Sequence, residues 1–392
     1  MKKVAILTTH RANNFGAQLQ AFSLVSTVRM LGVEAEILDW RTPHFEFTYH
    51  KANHFSWACI RHPRLVIYYL RRLFWFRFGN KRISELFDAF RMEYPISEKY
   101  ERRKDLKNIA NLYDYIIVGS DQVWNPLNTA SDKVSFDRTY LLDFCDDSQK
   151  KRAYAASLGT AEITPKSLIP EFKNLLSDFS VITVREFSGA ELVNKLIGIR
   201  PKVVLDPVLL QSRIFWETCF DKESVPQKPY VFIYNMHRSE ILRKNALNYA
   251  RERRLSVLEV VLPSRPEQSW SQRITPVFAG PRQFLALVAN AEAVFTASFH
   301  ASAFSVLFHR KLFVELRDEK DNSNCRMDTL FQIAGVKTNV TTVFQEGCVK
   351  INRLLVNDWS SADFHIEVAR KESINCLKAI LGLSTERANE EN

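Results

Sequence analysis

No apolar stretch in this 392-residue sequence approaches the ~18 residues that a membrane-spanning helix requires. The opening MKKVAILTTHRANN starts basic, but its apolar run ends within a few residues, before His10 and Arg11. That is too short for the core of a signal peptide, so the expected location is the cytoplasm. Six cysteines lie scattered without a Cys-x-x-Cys pair. This argues against a disulfide framework or a zinc site and for reduced, mostly buried thiols; neither a metal nor a cofactor is expected. Glycine is scarce, at 11 residues, and no low-complexity tract or repeat signals a solenoid or disorder. The formal charge of +10 comes without zinc-finger spacing, an aromatic–basic ribonucleoprotein motif or an arginine-rich tail. Nucleic acid is therefore not the expected partner, and anionic small molecules or anionic lipid remain.

What is present is a 46% hydrophobic content, ample for two cores, and a length that favours two domains at ~100–200 residues each. Short, β-branched runs at 4–7, 33–38, 115–120, 181–184 and 202–206 alternate with segments of helical spacing. One such segment places Ala21, Leu24, Val25, Val28 and Leu31 on one face and ends at Gly32. A second alternating series follows the turn-rich DKESVPQKP: strands YVFIYN, SVLEVVL, EAVFT and KLFVEL, with helices between them. The fold class expected is α/β, with two doubly wound Rossmann-like domains facing across a cleft, residues 1–222 and 223–392. The last helix, 361–382, is expected to pack back onto the first domain. Residues 61–82, within a basic aromatic segment 55–82, hold seven Arg or Lys and no acid. A basic stripe beside an aromatic face suits either a helix lying on an anionic membrane or a core helix with a solvated edge.

In doubly wound folds ligands bind at strand-to-helix turns, and four turns stand out. In THRANNFGAQLQ, Asn13, Asn14 and Gly16 can aim amides and a helix N-terminus at an anion or a sugar. The dinucleotide pattern G-x-G-x-x-G is missing there. In VGSDQVWN, Gly119, Ser120, Gln122 and Trp124 surround Asp121, which reads as a general base or as a helix cap. In VREFSGAEL, Arg185 offers a planar fork for carboxylate or phosphate, or else pairs with Glu186; AASLG adds Ser157 and Gly159 at another strand end. In TASFHASAF, His300 sits at a helix start with Ser298 and Ser302 beside it.

The ordered motifs NNFGAQLQA, VGSDQVWN, YAASLG, VRE-x-SGAEL, LDPVLL, GPRQFLALV-x-NA and SFHASAFSVLF resemble the polysaccharide pyruvyl transferase family, from about residue 4 to about residue 335. The resemblance implies an architecture like that of glycosyltransferases of the B type. It also implies transfer of pyruvate from phosphoenolpyruvate to sugar hydroxyls, forming a ketal in capsule, exopolysaccharide or cell-wall synthesis. His300 and Arg185 stand at the positions tied to catalysis and donor binding, with Arg326 as a second cationic candidate, the Ser298 and Ser302 hydroxyls as further candidates to bind the donor, and Asp121 as a candidate base for the acceptor. Ala297 and Ala301 replace an aspartate and a glycine of the family's Asp-Ser-Phe-His-Gly-Thr, which removes a possible carboxylate partner for the histidine. Acceptors of this kind are often carried on polyprenyl diphosphate, so a lipid-linked oligosaccharide and the inner face of the cytoplasmic membrane are the expected surroundings. A nucleotide-sugar glycosyltransferase of the same fold and an inactive binding relative are the alternatives.

Overall fold

The computed structural model describes residues 2–46, 81–129, 135–262, 273–316, 324–336, 338–343, 350–354 and 359–384. Most of the basic aromatic segment, through residue 80, lies outside the described residues; Lys81 and Arg82 open a helix.

Two seven-stranded sheets account for the chain's alternation. The first contains β1 (Lys3–Leu7), β2 (Glu34–Trp40), β3 (Ile96–Tyr100), β4 (Tyr115–Val118), β5 (Lys151–Ala156), β6 (Val181–Val184) and β7 (Lys202–Val203) in the order β3-β2-β1-β4-β5-β6-β7. Every pairing in it is parallel. The second contains β8 (Tyr230–Tyr234), β9 (Ser256–Val260), β10 (Thr275–Val277), β11 (Ala293–Thr296), β12 (Lys311–Leu316), β13 (Thr338–Val343) and β14 (Lys350–Leu354). Its order is β10-β9-β8-β11-β12-β14-β13, parallel as far as β12 and then antiparallel. This antiparallel edge departs from the simple repeat of one architecture expected from the sequence. The strand order reverses between β1 and β4 and again between β8 and β11, and such switch points are where open α/β sheets leave a crevice.

The two halves are joined by helices that a one-face reading of the sequence does not explain. Helix α1 (Phe15–Met30) is capped by Asn14 and buried nearly all round, including Gln18, Gln20, Ser23 and Thr27. One side covers the first sheet, and the other packs on α5 (Pro281–Asn290) and α6 (Phe299–Leu307) of the second half; α2 (Lys81–Arg91), α3 (Phe187–Ile197) and α4 (Glu240–Arg253) precede these in the chain. Its polar side chains donate to partners, although among the described residues Gln20 Oε1 accepts no hydrogen bond. The Gln20 amide donates to Thr8 Oγ1 at 2.7 Å and Ser23 donates to the Pro207 carbonyl.

Phe15 anchors this junction. Its ring stacks on Phe284 at 4.5 Å, meets Tyr234 edge-on at 5.5 Å and leans on Phe87 at 5.2 Å. Aromatic pairs of this kind add about 0.5–1.5 kcal/mol each beyond the area they bury. Close by, Gly280 lies where a Cβ would come 2.6 Å from the Cβ of Leu86, and Arg282 grips both carboxylate oxygens of Glu93, at 2.6 and 2.7 Å. The last helix, Trp359–Ile380, returns to the first half. Its Ser373 hydroxyl accepts from the Leu205 amide at 3.0 Å, and Arg370 donates to the Leu209 carbonyl at 2.8 Å.

At the end of β2 a buried carboxylate fixes the turn after β1. Asp39 accepts from Arg41 at 2.9 Å and lies 3.0 Å from His10 Nε2. Burial alone would raise its pKa, but His10 and Arg41 hold it well below the usual carboxylate range. A carboxyl group with a depressed folded pKa stabilises the fold above its unfolded value of ~3.9, and this contribution disappears as pH falls through the folded value. Denaturant unfolding between pH 4 and pH 2 should therefore show a steep loss of stability. Asp39→Asn should be less stable at neutral pH and lose less over that interval; parallel curves for the two proteins would show that the carboxylate is not responsible.

Candidate functional site

The turns that end β1, β4, β5 and β6 and the loop after β7 meet the turn after β11. Thr8 donates to the Ser120 carbonyl at 2.9 Å and Thr9 to Asp121 Oδ2 at 2.7 Å, tying the first two turns together. Asp121 adopts φ +72°, a left-handed conformation that costs a non-glycine residue about 1–3 kcal/mol. Its carbonyl accepts from the amides of Val123 at 2.8 Å and Ser157 at 3.1 Å, which keeps the strained turn in place. The helix after it begins at Pro126, so Asp121 is not a helix cap. Gly159, at φ +65°, leaves room for Gln122, whose Oε1 would lie 2.3 Å from a Cβ there. That Oε1 accepts from Asn125 at 2.7 Å.

Two buried carboxylates organise these turns. Glu186 Oε1 accepts from the Ser157 hydroxyl and the Leu158 amide, both at 2.9 Å, and from the Gly159 amide at 3.0 Å. Asp206, 1% exposed, accepts from the Val208 amide at 3.1 Å through Oδ1. Its Oδ2 receives the Ser120 hydroxyl at 3.0 Å and Arg185 Nη1 at 2.7 Å. His300 Nε2 stands 3.4 Å from the same Oδ2. The imidazole, at the start of α6 in the second half, thus enters a pocket built by the first. Gly16 makes this possible: a Cβ there would lie 2.0 Å from Nδ1, 2.4 Å from Cγ and 2.7 Å from Cε1.

Arg185 is 2% exposed and its guanidinium lies 4.6 Å from the Phe299 ring centre. Burial alone would lower its pKa; Asp206, Glu186 and Asp121 raise it. Among the described residues, Nε and Nη2 find no hydrogen-bond partner, although Nε is 3.7 Å from Glu186 Oε2. Arg326, at the start of α7 (Cys325–Ile333), also keeps a shielded Nε without a partner. Burial and then the charge of Arg185 lower its pKa, against Glu186 and Asp121, so the two guanidiniums share one electrostatic neighbourhood. Arg326 lines a small polar pocket with His237, Ala297, Phe299, Glu315 and Asn324.

Gly16, Ser120, Asp121, Ser157, Gly159, Arg185, His300 and Arg326 are thus assembled in one region. Several other residues read as site-lining have different work. Asn13 turns away, accepting from Arg91 at 3.0 Å, and Asn14 caps α1 at the Ala17 amide. Gly119 packs against Leu24 and Thr8. Trp124 is a core residue rather than a cleft residue, because its buried indole donates to the Tyr140 carbonyl at 2.9 Å and meets Phe179 edge-on. Ser298 caps α6, and the buried Ser302 hydroxyl donates to the Ser298 carbonyl at 2.9 Å. The helix itself therefore uses the Ser302 proton that was expected to face the donor. Among the described residues, no group of three or more His, Cys, Asp or Glu is placed to hold a metal ion.

The model of the family described as polysaccharide pyruvyl transferase matches residues 14–315. The chain belongs to that family. A search of the curated proteins gives no match. Among solved structures, a UDP-GlcNAc 2-epimerase from Methanocaldococcus jannaschii in complex with UDP-GlcNAc and UDP is similar at 12% identity and TM-score 0.46, over 97% of this chain and 99% of that one. The enzyme from Neisseria meningitidis bound to UDP-GlcNAc is similar at 9% identity and TM-score 0.47, again over 97% and 99%. An α-glucosyltransferase in complex with UDP and a 13-mer DNA shows 8% identity and TM-score 0.44, over 97% and 98%. Those ligands belong to those proteins.

Within this family member the carboxylate near the histidine comes from Asp206, so Ala297 does not leave the ring without one. In the sequence the LDPVLL aspartate has no role of its own; its one signal is that of an acid at a strand's carboxyl end, the same kind of position as Asp121. Glu186, an alternative partner for Arg185 in the sequence, makes its shorter contacts to the Ser157–Gly159 turn. Gly16→Ala should displace the imidazole and lower thermal stability, since overpacking a filled site costs about 1–3 kcal/mol. An unchanged melting temperature and an unshifted His300 ring resonance would show that the contact is not obligatory.

Proposed function

We propose that the protein transfers pyruvate from phosphoenolpyruvate to a pair of sugar hydroxyls, forming a ketal, and that the group around Arg185 and His300 is its active site. The observation that carries this reading is the buried Arg185 guanidinium with two nitrogens unpartnered, close to a histidine and a second guanidinium. Leaving buried donors unpaired costs about 1–3 kcal/mol each, an expense that an anionic ligand removes. Phosphoenolpyruvate brings a carboxylate and a phosphate, which suit Arg185 and Arg326. The backbone amides at the start of α1 and α6 favour negative charge as well.

His300 supplies a proton to carbon 3 of the enol ester, and positive charge develops at carbon 2. A sugar hydroxyl attacks carbon 2, giving up its proton to Asp121. The carbon–oxygen bond to phosphate then breaks, and the second hydroxyl closes the ketal. One hydroxyl proton restores the imidazole by way of Asp121 and the other departs with phosphate, so the sum is one donor and one diol giving one ketal and one phosphate. The chemistry attributed to these residues calls for no cofactor.

The test is incubation with phosphoenolpyruvate and a panel of lipid-linked glycans, with phosphate release and product mass as readouts. Phosphate release with a mass gain on the glycan supports the reading; nucleotide release from a nucleotide sugar under the same conditions overturns it. His300→Ala should stay folded and lose about 10²–10⁴-fold in turnover. Arg185→Lys should raise the apparent donor KM by about 10–100-fold, since an ammonium cannot replace the fork; wild-type values for either variant would remove that residue from the scheme.

The acceptor's lipid carrier and an anionic membrane surface belong to the same proposal, supported by the composition of residues 61–82. Vesicles containing phosphatidylglycerol should sediment the protein at low salt and release it at high salt. A protein that stays in the supernatant at low salt has no such surface.

A further inference from the structure

We propose that Asp206 is the positioning residue of this site: it faces His300 Nε2 and so leaves Nδ1 as the nitrogen that exchanges a proton with the donor. Only the donor's identity rests on the pyruvyl-transfer reading; the orientation of the ring does not.

The carboxylate is held from three directions before the imidazole reaches it. The Val208 amide fixes Oδ1 at 3.1 Å, while Ser120 at 3.0 Å and Arg185 at 2.7 Å fix Oδ2. Burial alone would raise the Asp206 pKa, but His300 and Arg185 hold it well below the usual range, so the group is an anion. An ionised carboxylate only accepts. The ring nitrogen 3.4 Å away makes no hydrogen bond as it stands, but a nitrogen facing a fixed anion is the one that carries hydrogen in the neutral imidazole, and such contacts tighten once a ligand closes the site.

Gly16 restricts the ring from another side. A Cβ there would be 2.0, 2.4 and 2.7 Å from Nδ1, Cγ and Cε1. A point on the Nδ1 lone-pair axis would stand well back from both carbons, so these distances place Gly16 over the face of the ring. The in-plane direction of Nδ1 is not taken by that contact. Because Arg185 and His300 approach the same oxygen, the guanidinium that receives the donor's acid group and the imidazole that delivers its proton are referenced to one fixed atom.

The ring can be read directly. Nitrogen-15 spectra of protein labelled at histidine, with His300 assigned from its disappearance in His300→Ala, report which nitrogen is protonated at a pH where the ring is neutral. Hydrogen on Nε2 and a bare Nδ1 are expected; the opposite tautomer overturns the proposal, and no variant of Asp206 is needed to see it. A double-mutant cycle adds a second readout. Asp206→Asn should lower turnover by about 10²–10⁴-fold in the wild-type background and by a clearly smaller factor in the His300→Ala background, where only its hold on Arg185 is left to lose. Equal losses in both backgrounds would mean a merely structural role. If the wild-type protein releases no phosphate from phosphoenolpyruvate, the donor assignment fails while the tautomer result still decides the question asked of Asp206.

Discussion

One buried carboxylate oxygen, Asp206 Oδ2, is the atom on which the arrangement of the site depends. It takes a guanidinium and a hydroxyl from the first half of the chain and faces an imidazole from the second. Charges this deep are tolerated only when paired and hydrogen-bonded, and removing one partner of such a pair typically costs about 3–5 kcal/mol. Asp206, Arg185 and Glu186 each meet that condition through several contacts, so none can shift without disturbing the others. Among the described residues, two Arg185 nitrogens, the Arg326 Nε, Glu186 Oε2 and His300 Nε2 remain without a hydrogen bond, so the network is still open where these groups meet.

The strand order explains why these groups meet. Order reverses at β1/β4 in one sheet and at β8/β11 in the other, and the turns leaving those strands contribute Asp121 and Ser120 on one side and His300 on the other. Asp206 enters from the loop beyond the edge strand β7, and Pro207 and Leu209 after it pack on α1 and α6. A hydrophobic cluster running through Phe15, Phe232, Phe284 and Phe304 holds those helices together. Packing at the junction and electrostatics at the site are therefore consequences of the same helices.

Much of this was legible in the sequence because parallel strands buried on both faces read as short apolar runs; β1, β4, β6, β8, β11 and β12 all do. The strand β3, ISEKY, did not, since its residues lie at the exposed edge of the sheet and carry no such run. Arg185, His300 and Asp121 could be singled out because charged residues at strand ends are unusual enough to notice. Which of their neighbours face the site could not be read in the same way. Trp124, Asn13 and Ser302 follow the same strand ends, and only the rotation of each side chain decides between core, neighbouring helix and pocket. Asp206 shows the converse. Its spacing from His300 in the chain carries no information, because the two meet only when the halves dock.

That last point bears on how the molecule works as a whole. Neither half contains a complete site: the first has the carboxylates, Arg185 and the open face of Gly16, and the second has the imidazole and Arg326. A displacement of about 1 Å between reacting groups can cost on the order of 10²-fold in rate, so the relative position of the halves has to be fixed far more tightly than folding alone demands. The stacked Phe15–Phe284 pair, the Gly280–Leu86 approach and the two-pronged Arg282–Glu93 contact give that position a hydrophobic centre and a polar rim. A junction that shares one continuous hydrophobic cluster makes rigid registration of the halves the expected behaviour, where more polar junctions leave domains free to move. The scarcity of glycine in the sequence acquires a meaning here. Of the few glycines present, Gly16 and Gly280 stand where the other half comes too close for a further side chain: the His300 ring lies against the first and the Leu86 Cβ against the second.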